Sequence, residues 1–171
     1  MGKYLKWVHG SDVSIEWPDR IHDGGSNSAP GNPRPVGWGT IVRQETGDNW
    51  FHFAIPTPTA INSKAFEASP VVIEDVFLHA TVNESARVDR VHVWDGDNKI
   101  WGRDNIEGLE NEEIFEELDI SDDPVREGVG ISVHVDFSTG GEIGKVTFHS
   151  AGAQFDDDIL PVGDFDFILP F

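Results

Sequence analysis

The stretch Gly37-Trp-Gly-Thr-Ile-Val-Arg-Gln-Glu-Thr-Gly-Asp-Asn-Trp-Phe-His-Phe-Ala-Ile-Pro-Thr-Pro58 decides the fold class of this chain of 171 residues. It predicts a strand, a Gly-Asp turn and a second strand that ends at two prolines, which lack the N–H that a sheet requires. In the second strand His52 separates Phe51 from Phe53, which is the two-residue period of a β-strand. We therefore predict a β-hairpin at the centre of an all-β domain.

The same period recurs along the rest of the chain. It is clearest in residues 129–137, where Val, Ile and Phe alternate with small or polar residues. Turn signals separate the strand-like runs, and helix signals are almost absent. In the acidic residues 105–123 we favour a strand at Phe115-Glu-Glu-Leu-Asp-Ile120, and the alternative is a single helix capped by Asn111. The pattern predicts a single antiparallel β-sandwich, with a jelly roll as its form.

Short turns predict how the other strands pair. The runs on either side of a short turn are expected to form hairpins in three places, namely 3–8 with 12–17, 88–94 with 99–101, and 129–137 with 143–148. The long β-branched run 71–82 is expected to bend or bulge at Glu74-Asp75.

The length predicts one domain that spans residues 1–171, with a C-terminal extension at 156–171. The extension ends in Phe165-Asp-Phe-Ile-Leu-Pro-Phe171. We expect it to close a sheet edge, and the alternative is an exposed apolar tail. If it pairs with the edge of a neighbouring subunit, it would build a homo-oligomer.

The composition restricts the partners. A net charge of −19 repels a phosphate backbone, so nucleic acid is not expected. Because neither a signal peptide nor a long apolar run occurs, we expect no membrane span and a cytoplasmic location by default, with non-classical release left open. The lack of cysteine excludes disulfides and thiol catalysis.

Four segments resemble a family of small uncharacterised bacterial proteins, a domain of unknown function. They are Trp7-Val-His-Gly10; Gly37-Trp-Gly-Thr40 with Trp50-Phe-His-Phe-Ala-Ile-Pro-Thr-Pro58; Val91-His-Val-Trp-Asp-Gly96; and Gly128-Val-Gly-Ile-Ser132 with Ser150-Ala-Gly-Ala-Gln-Phe155. The resemblance implies one compact all-β domain without an export signal, and it implies no catalytic residue. The chain departs from the family pattern in a longer loop before Gly37, in residues 62–70 and in the extra residues 156–171.

Three strand histidines are the candidates for a transition-metal site. His52, His92 and His134 each lie in mid-strand among apolar neighbours. On one face of adjacent strands they could bind zinc or iron. The alternative is a set of hydrogen-bonded imidazoles without a metal.

The acidic turns are candidates for Ca²⁺, which takes about six to eight oxygen ligands. Asp95 and Asp97 lie in one such turn, and further carboxylates cluster at 119–123, 156–158 and 164–166. None of these turns matches the helix-loop-helix calcium pattern. Solvated acidic turns are therefore the alternative.

Four tryptophans are candidates for stacking on a sugar ring: Trp38, Trp50, Trp94 and Trp101. Trp94 and Trp101 flank the Asp95 turn, so this pair is the first to test. Packing in the core is the alternative for each of the four.

The sequence leaves three functions open. Since it has no P-loop, no dinucleotide-binding glycine motif and no nucleophile elbow, we expect a non-catalytic module that binds a ligand or a protein partner, or that self-associates. The first alternative is a calcium-assisted carbohydrate-binding module. The second is a metal-dependent enzyme that uses the strand histidines.

Overall fold

The computed structural model describes residues 3–22, 33–58, 71–83, 85–106, 113–138 and 143–156, with the backbone alone for 113–124. These ranges contain the strands β1 (Lys3–His9), β2 (Ser14–Ile15), β3 (Arg34–Val36), β4 (Gly39–Gln44), β5 (Asp48–Ala54), β6 (Val71–Val82), β7 (Arg87–Asp95), β8 (Asn98–Asp104), β9 (Glu113–Val125), β10 (Val129–Asp136) and β11 (Gly144–Asp156). Short 3-10 helices span Gly10–Asp12 and Pro18–Arg20. In the same ranges, no helix has the length and apolar character to cross a membrane.

The strands form two antiparallel sheets. Sheet A has the order β3-β4-β11-β6-β9, and β1 pairs with the second half of β11. Sheet B has the order β2-β5-β10-β7-β8. The predicted antiparallel β-sandwich is therefore confirmed, while the jelly roll stays a prediction.

The core lies between the two sheets. Phe51 and Phe53 of β5 reach across to Phe148 of β11, with ring centroids 4.8 and 5.5 Å apart. The inward residues of β10, Ile131 and Val133, are buried as well, as the alternation of residues 129–137 predicts. Each side chain of this size contributes about 1.5–3 kcal/mol when fully buried. Aromatic and β-branched packing therefore holds the two sheets together.

Three of the predicted hairpins are wrong. The strand pairs β1/β2, β4/β5 and β10/β11 each have one member in sheet A and the other in sheet B, so the chain crosses the sandwich between them. Alternation specifies which side chains are buried, but it does not specify which strand is the neighbour. The β7–β8 hairpin is confirmed, and so is an irregularity between Ile73 and Asp75 of β6.

A buried pair of amides fixes the central crossing. Gln44 donates from Nε2 to the carbonyl oxygens of Thr46 and Asp48, at 2.9 and 3.1 Å. Asn49 donates from Nδ2 to Gln44 Oε1 at 3.1 Å and exchanges two hydrogen bonds with the backbone of Trp17. Because these side chains satisfy backbone groups inside the protein, the chain can turn across the core instead of back on itself.

Part of the sequence prediction lies outside the described residues. The strand assigned to the acidic region is present as β9 from Glu113 to Val125. The expectations for residues 107–112, for 62–70, for the turn at 139–141 and for the extension from 157 to 171 concern residues that the structure does not describe.

Candidate functional site

The register of sheet B places polar and aromatic side chains in rows on its outer face. The first row crosses all five strands through Ser14, His52, Ser132, His92 and Gly102. Directly paired residues of an antiparallel sheet project to the same side, so these five share the face that points away from the core. A Cβ on Gly102 would lie 3.0 Å from the ring of His92, so this glycine leaves room for the imidazole.

Two further rows flank the first one. One contains Trp50, His134, Arg90 and Asp104, and the other contains Ala54, Gly130, Trp94 and Lys99. The central strand β10 therefore presents small residues in two rows, between larger side chains on β5 and β7. This difference in size makes the outer face uneven.

The predicted histidines His52, His92 and His134 do share this face, but each one binds its own partners. His52 lies 2.9 Å from Ser132 Oγ through Nδ1 and 3.4 Å from Glu16 through Nε2. The Nε2 atom of His92 lies 2.8 Å from Asp104. In the described part of the chain, no three histidine or carboxylate side chains are placed to hold a metal ion. The geometry therefore lends no support to the predicted transition-metal site.

His134 is the buried centre of a charge network that reaches the surface at Asp48 and Arg20. Its Nδ1 bonds to Asp89 and its Nε2 lies 3.0 Å from Asp48, which also pairs with Arg20 at 3.1 Å. Burial raises the pKa of Asp48, but His134 and Arg20 outweigh this effect and hold it below its ordinary 3.8. The network braces β5, β7 and β10.

A groove of about 610 Å³ opens on the outer face of sheet B. Its lining combines the small residues Ala54, Gly130 and Ser132 with the larger side chains of His52 and Trp94. The small residues of β10 leave space between the two rings, and Thr57 and Glu127 add polar atoms at one end. This surface can accept a flat ligand that has one apolar side and polar edges.

Two of the predicted tryptophans belong to this face. Trp94 lines the groove. Trp50 lies in a neighbouring row, and its ring centroid is 5.0 Å from that of His92 and 4.7 Å from that of His134. The two imidazoles hold the Trp50 ring in place beside the groove.

The other two tryptophans lie elsewhere. Trp101 stands opposite Val93 in the β7–β8 hairpin and packs against the core, so it does not share a face with Trp94. Trp38 lies in the turn between β3 and β4 of sheet A and is 56% exposed, with its ring stacked on His149 at 5.5 Å. Trp94 and Trp101 therefore cannot act together on one ligand.

The carboxylate of Asp95 is already occupied by backbone donors. Its Oδ1 accepts from the N–H groups of Glu127 and Gly128 at 2.8 and 2.9 Å, and its Oδ2 accepts from Arg126 at 2.9 Å. Burial raises the pKa of Asp95, but the three donors outweigh it and hold the pKa below 3.8. Asp95 therefore ties the β7–β8 hairpin to the segment that leads into β10.

The other predicted calcium ligand, Asp97, is exposed in the turn between β7 and β8. It lines a second cavity of about 580 Å³ together with Lys99 and Arg126. Cationic side chains in this cavity compete with a bound cation for the carboxylate. The cationic lining therefore disfavours a Ca²⁺ ion in this cavity.

Sequence reasoning missed the residues that shape the groove. Gly130, Ser132 and Thr57 lie in segments that resemble the family, but the resemblance implies no role for them, and Glu127 lies in no motif. One sequence feature could have indicated the groove. In residues 129–137, two of the polar positions that alternate with the apolar ones hold small residues, and small side chains on a central strand create a depression. The neighbours that flank the depression follow only from the strand register.

The comparisons with known proteins give one family and a shared fold. A model of a family of unknown function, DUF6623, matches residues 1–156. No curated protein matches the chain. Among solved structures, the chain is similar to a low-affinity xylan binding module, CBM86, from the gut symbiont Roseburia intestinalis, with 11% identity, a TM-score of 0.50 and coverage of 90% of this chain and 96% of that chain.

Two other solved structures are similar at a slightly lower level. The xylan-binding module CBM15 is 14% identical, with a TM-score of 0.49 and coverage of 90% and 97% of the two chains. A family 29 carbohydrate binding module from Piromyces equi is 7% identical, with a TM-score of 0.48 and coverage of 90% and 91%. Identities this low concern the fold alone.

Proposed function

The chain belongs to DUF6623, a family of unknown function, and we propose that it is a non-catalytic module that binds a carbohydrate in the groove on the outer face of sheet B. One observation carries the proposal. The small residues Gly130 and Ser132 of β10 separate Trp94 from His52, so two ring systems border one solvent-open depression.

The groove has the two kinds of contact that a sugar needs. The indole of Trp94 offers an apolar face for the C–H side of a sugar ring. The hydroxyl oxygen of Ser132, which keeps acceptor capacity beside its hydrogen bond to His52, and the carboxylate of Glu127 can accept hydrogen bonds from sugar hydroxyls around it. A few polar groups at the edge of an apolar surface are typical of a ligand site.

A hydrolase is the second candidate, because Ser132, His52 and Glu16 form a serine–histidine–carboxylate row. The position of Ser132 argues against catalysis. It lies in the middle of β10, which pairs with β5 on one side and β7 on the other, so its backbone N–H belongs to the sheet ladder. A nucleophilic serine needs free donors beside it for the oxyanion. The row therefore serves to orient His52.

Calcium is not needed for this mode of binding. The oxygens of Asp95 already accept three backbone N–H groups, and the cavity beside Asp97 contains Lys99 and Arg126. We therefore propose that binding is direct and is the same in EDTA as in millimolar Ca²⁺. The xylan-binding module of similar fold suggests which polysaccharides to test first.

Affinity electrophoresis in gels that contain soluble xylan, a mixed-linkage β-glucan or a mannan tests the proposal. Retardation by at least one polysaccharide, equal with EDTA and with Ca²⁺, is expected. No retardation by any of the three polysaccharides, together with no binding on a glycan array, would contradict it. Release of p-nitrophenol from acetyl and butyryl esters, lost in Ser132→Ala, would instead support the hydrolase.

A further inference from the structure

The groove on sheet B adjoins the cavity at the β7–β8 turn, and Glu127 lines both of them. This second cavity has a volume of about 580 Å³. Asp97, Lys99 and Arg126 contribute charged groups of both signs to its lining. The polar groups that border the groove therefore continue beyond Glu127, toward the edge strand β8.

The backbone around Glu127 holds its side chain between the two cavities. Asp95 accepts hydrogen bonds from the N–H groups of residues 126–128, so this segment is tied to the β7–β8 hairpin. A Cβ on Gly96 would lie 2.0 Å from Oε2 of Glu127, so the carboxylate lies directly over this glycine. Glu127 is exposed, and within the described ranges it forms no ion pair. Its oxygens can therefore accept hydrogen bonds from a ligand.

Lys99 offers donors on the other side of the second cavity. It stands opposite Trp94 in the β7–β8 hairpin, and paired residues of antiparallel strands project to the same side. Its stem packs beside Gly102, where a Cβ would lie 3.6 Å from Lys99 Cδ. Lys99 is exposed, and no described carboxylate pairs with it. The ammonium can therefore donate to a ligand that reaches past Trp94.

On the basis of the carbohydrate function proposed above, on which this inference rests, we propose that the ligand is a linear, neutral polysaccharide that occupies both cavities. One sugar unit stacks on Trp94, and a neighbouring unit places its hydroxyl groups between Glu127, which accepts, and Lys99, which donates. From β5 to β8 the path crosses three strand spacings, or about 14 Å, which exceeds the width of one sugar ring. The net charge of −19 repels a polyanionic chain, so the ligand is neutral.

Isothermal titration with linear oligosaccharides of increasing length, cut from the polysaccharide that retards the protein, tests the proposal. In the parent protein the affinity should rise with length until the chain fills both cavities. Lys99→Met keeps most of the stem and removes the ammonium. It should lower the affinity for long chains by about threefold to tenfold, and the affinity for the shortest ligand that binds far less. Arg103→Met is the matched control, since Arg103 is an exposed cation on the same strand that lines neither cavity.

The possible results separate a site that spans both cavities from the carbohydrate function itself. A length-dependent affinity that Lys99→Met weakens and Arg103→Met does not supports the spanning site. An affinity that does not depend on length, or equal affinities of Lys99→Met and the parent protein for long chains, would overturn the spanning site and leave binding in the groove intact. Tighter binding of polygalacturonate than of neutral chains would overturn the neutral class. If no polysaccharide or oligosaccharide binds, both the spanning site and the carbohydrate function are wrong.

Discussion

Gly10 lies so close to Phe148 that a Cβ on Gly10 would stand 1.9 Å from the carbonyl oxygen of Phe148. Gly10 begins the 3-10 helix that takes the chain from β1 in sheet A to β2 in sheet B. The crossing therefore runs directly over the backbone of β11.

Gly10→Ala should destabilise the protein because the obstacle is backbone and cannot rotate away. We expect a loss of about 2–4 kcal/mol in the free energy of unfolding, measured by urea denaturation. Gly37→Ala is the control, since a Cβ there meets no atom within 4 Å. Equal stability of the two variants would mean that Gly10 does not pack closely against the backbone of Phe148.

Asn49→Asp tests the buried amide pair at the second crossing. The substitution replaces the Nδ2 donor by an oxygen that faces the carbonyl oxygen of Trp17 and Oε1 of Gln44. A buried carboxylate that keeps one donor, the Trp17 N–H, but faces two other oxygens should cost about 2–4 kcal/mol in urea denaturation at neutral pH. Asn98→Asp, at the exposed first residue of β8, should cost far less. If the two variants unfold at the same urea concentration, the amide pair does not fix the crossing.

Asp95 makes stability depend on pH in a definite direction. Because its folded pKa lies below 3.8, its contribution is present above the unfolded pKa and is lost as the pH falls through the folded pKa. Asp95→Asn should therefore lower the free energy of unfolding by about 1–3 kcal/mol at pH 7. The difference from the parent protein should shrink as acid protonates the carboxylate. Asp97→Asn, with its exposed side chain, is the control, and a difference that grows in acid would contradict the assignment.

The fold class was predictable because burial imposes a two-residue period that residues 129–137 and Phe51–Phe53 display. The pairing was not predictable in the same way. Gly47-Asp48 resembles a hairpin turn, but the chain crosses to the other sheet there. Hydrogen bonds from the side chains of Gln44 and Asn49 to the turn itself and to the backbone of Trp17 stabilise this crossing. Those contacts depend on where the chain passes in three dimensions, which a local pattern does not contain.

The candidate site, too, was only partly predictable from the sequence. The polar side of β10 was visible in the sequence as Gly130, Ser132 and His134. Their neighbours follow from the register, which places His92 beside Ser132 and Val93 beside Trp101. The proximity of Trp94 and Trp101 along the chain suggested a pair, and the register places them on opposite faces.

We propose that the sugar binds in the groove on sheet B and not at another aromatic surface. Isothermal titration with the polysaccharide that retards the protein tests it through two tryptophan variants. Trp94→Ala should weaken binding by about tenfold or more, the loss of one buried aromatic contact of about 1.4 kcal/mol or more. Trp38→Ala, which removes the exposed indole on sheet A, should bind as the parent protein does. Unchanged binding in Trp94→Ala with a loss in Trp38→Ala would contradict binding in the groove on sheet B.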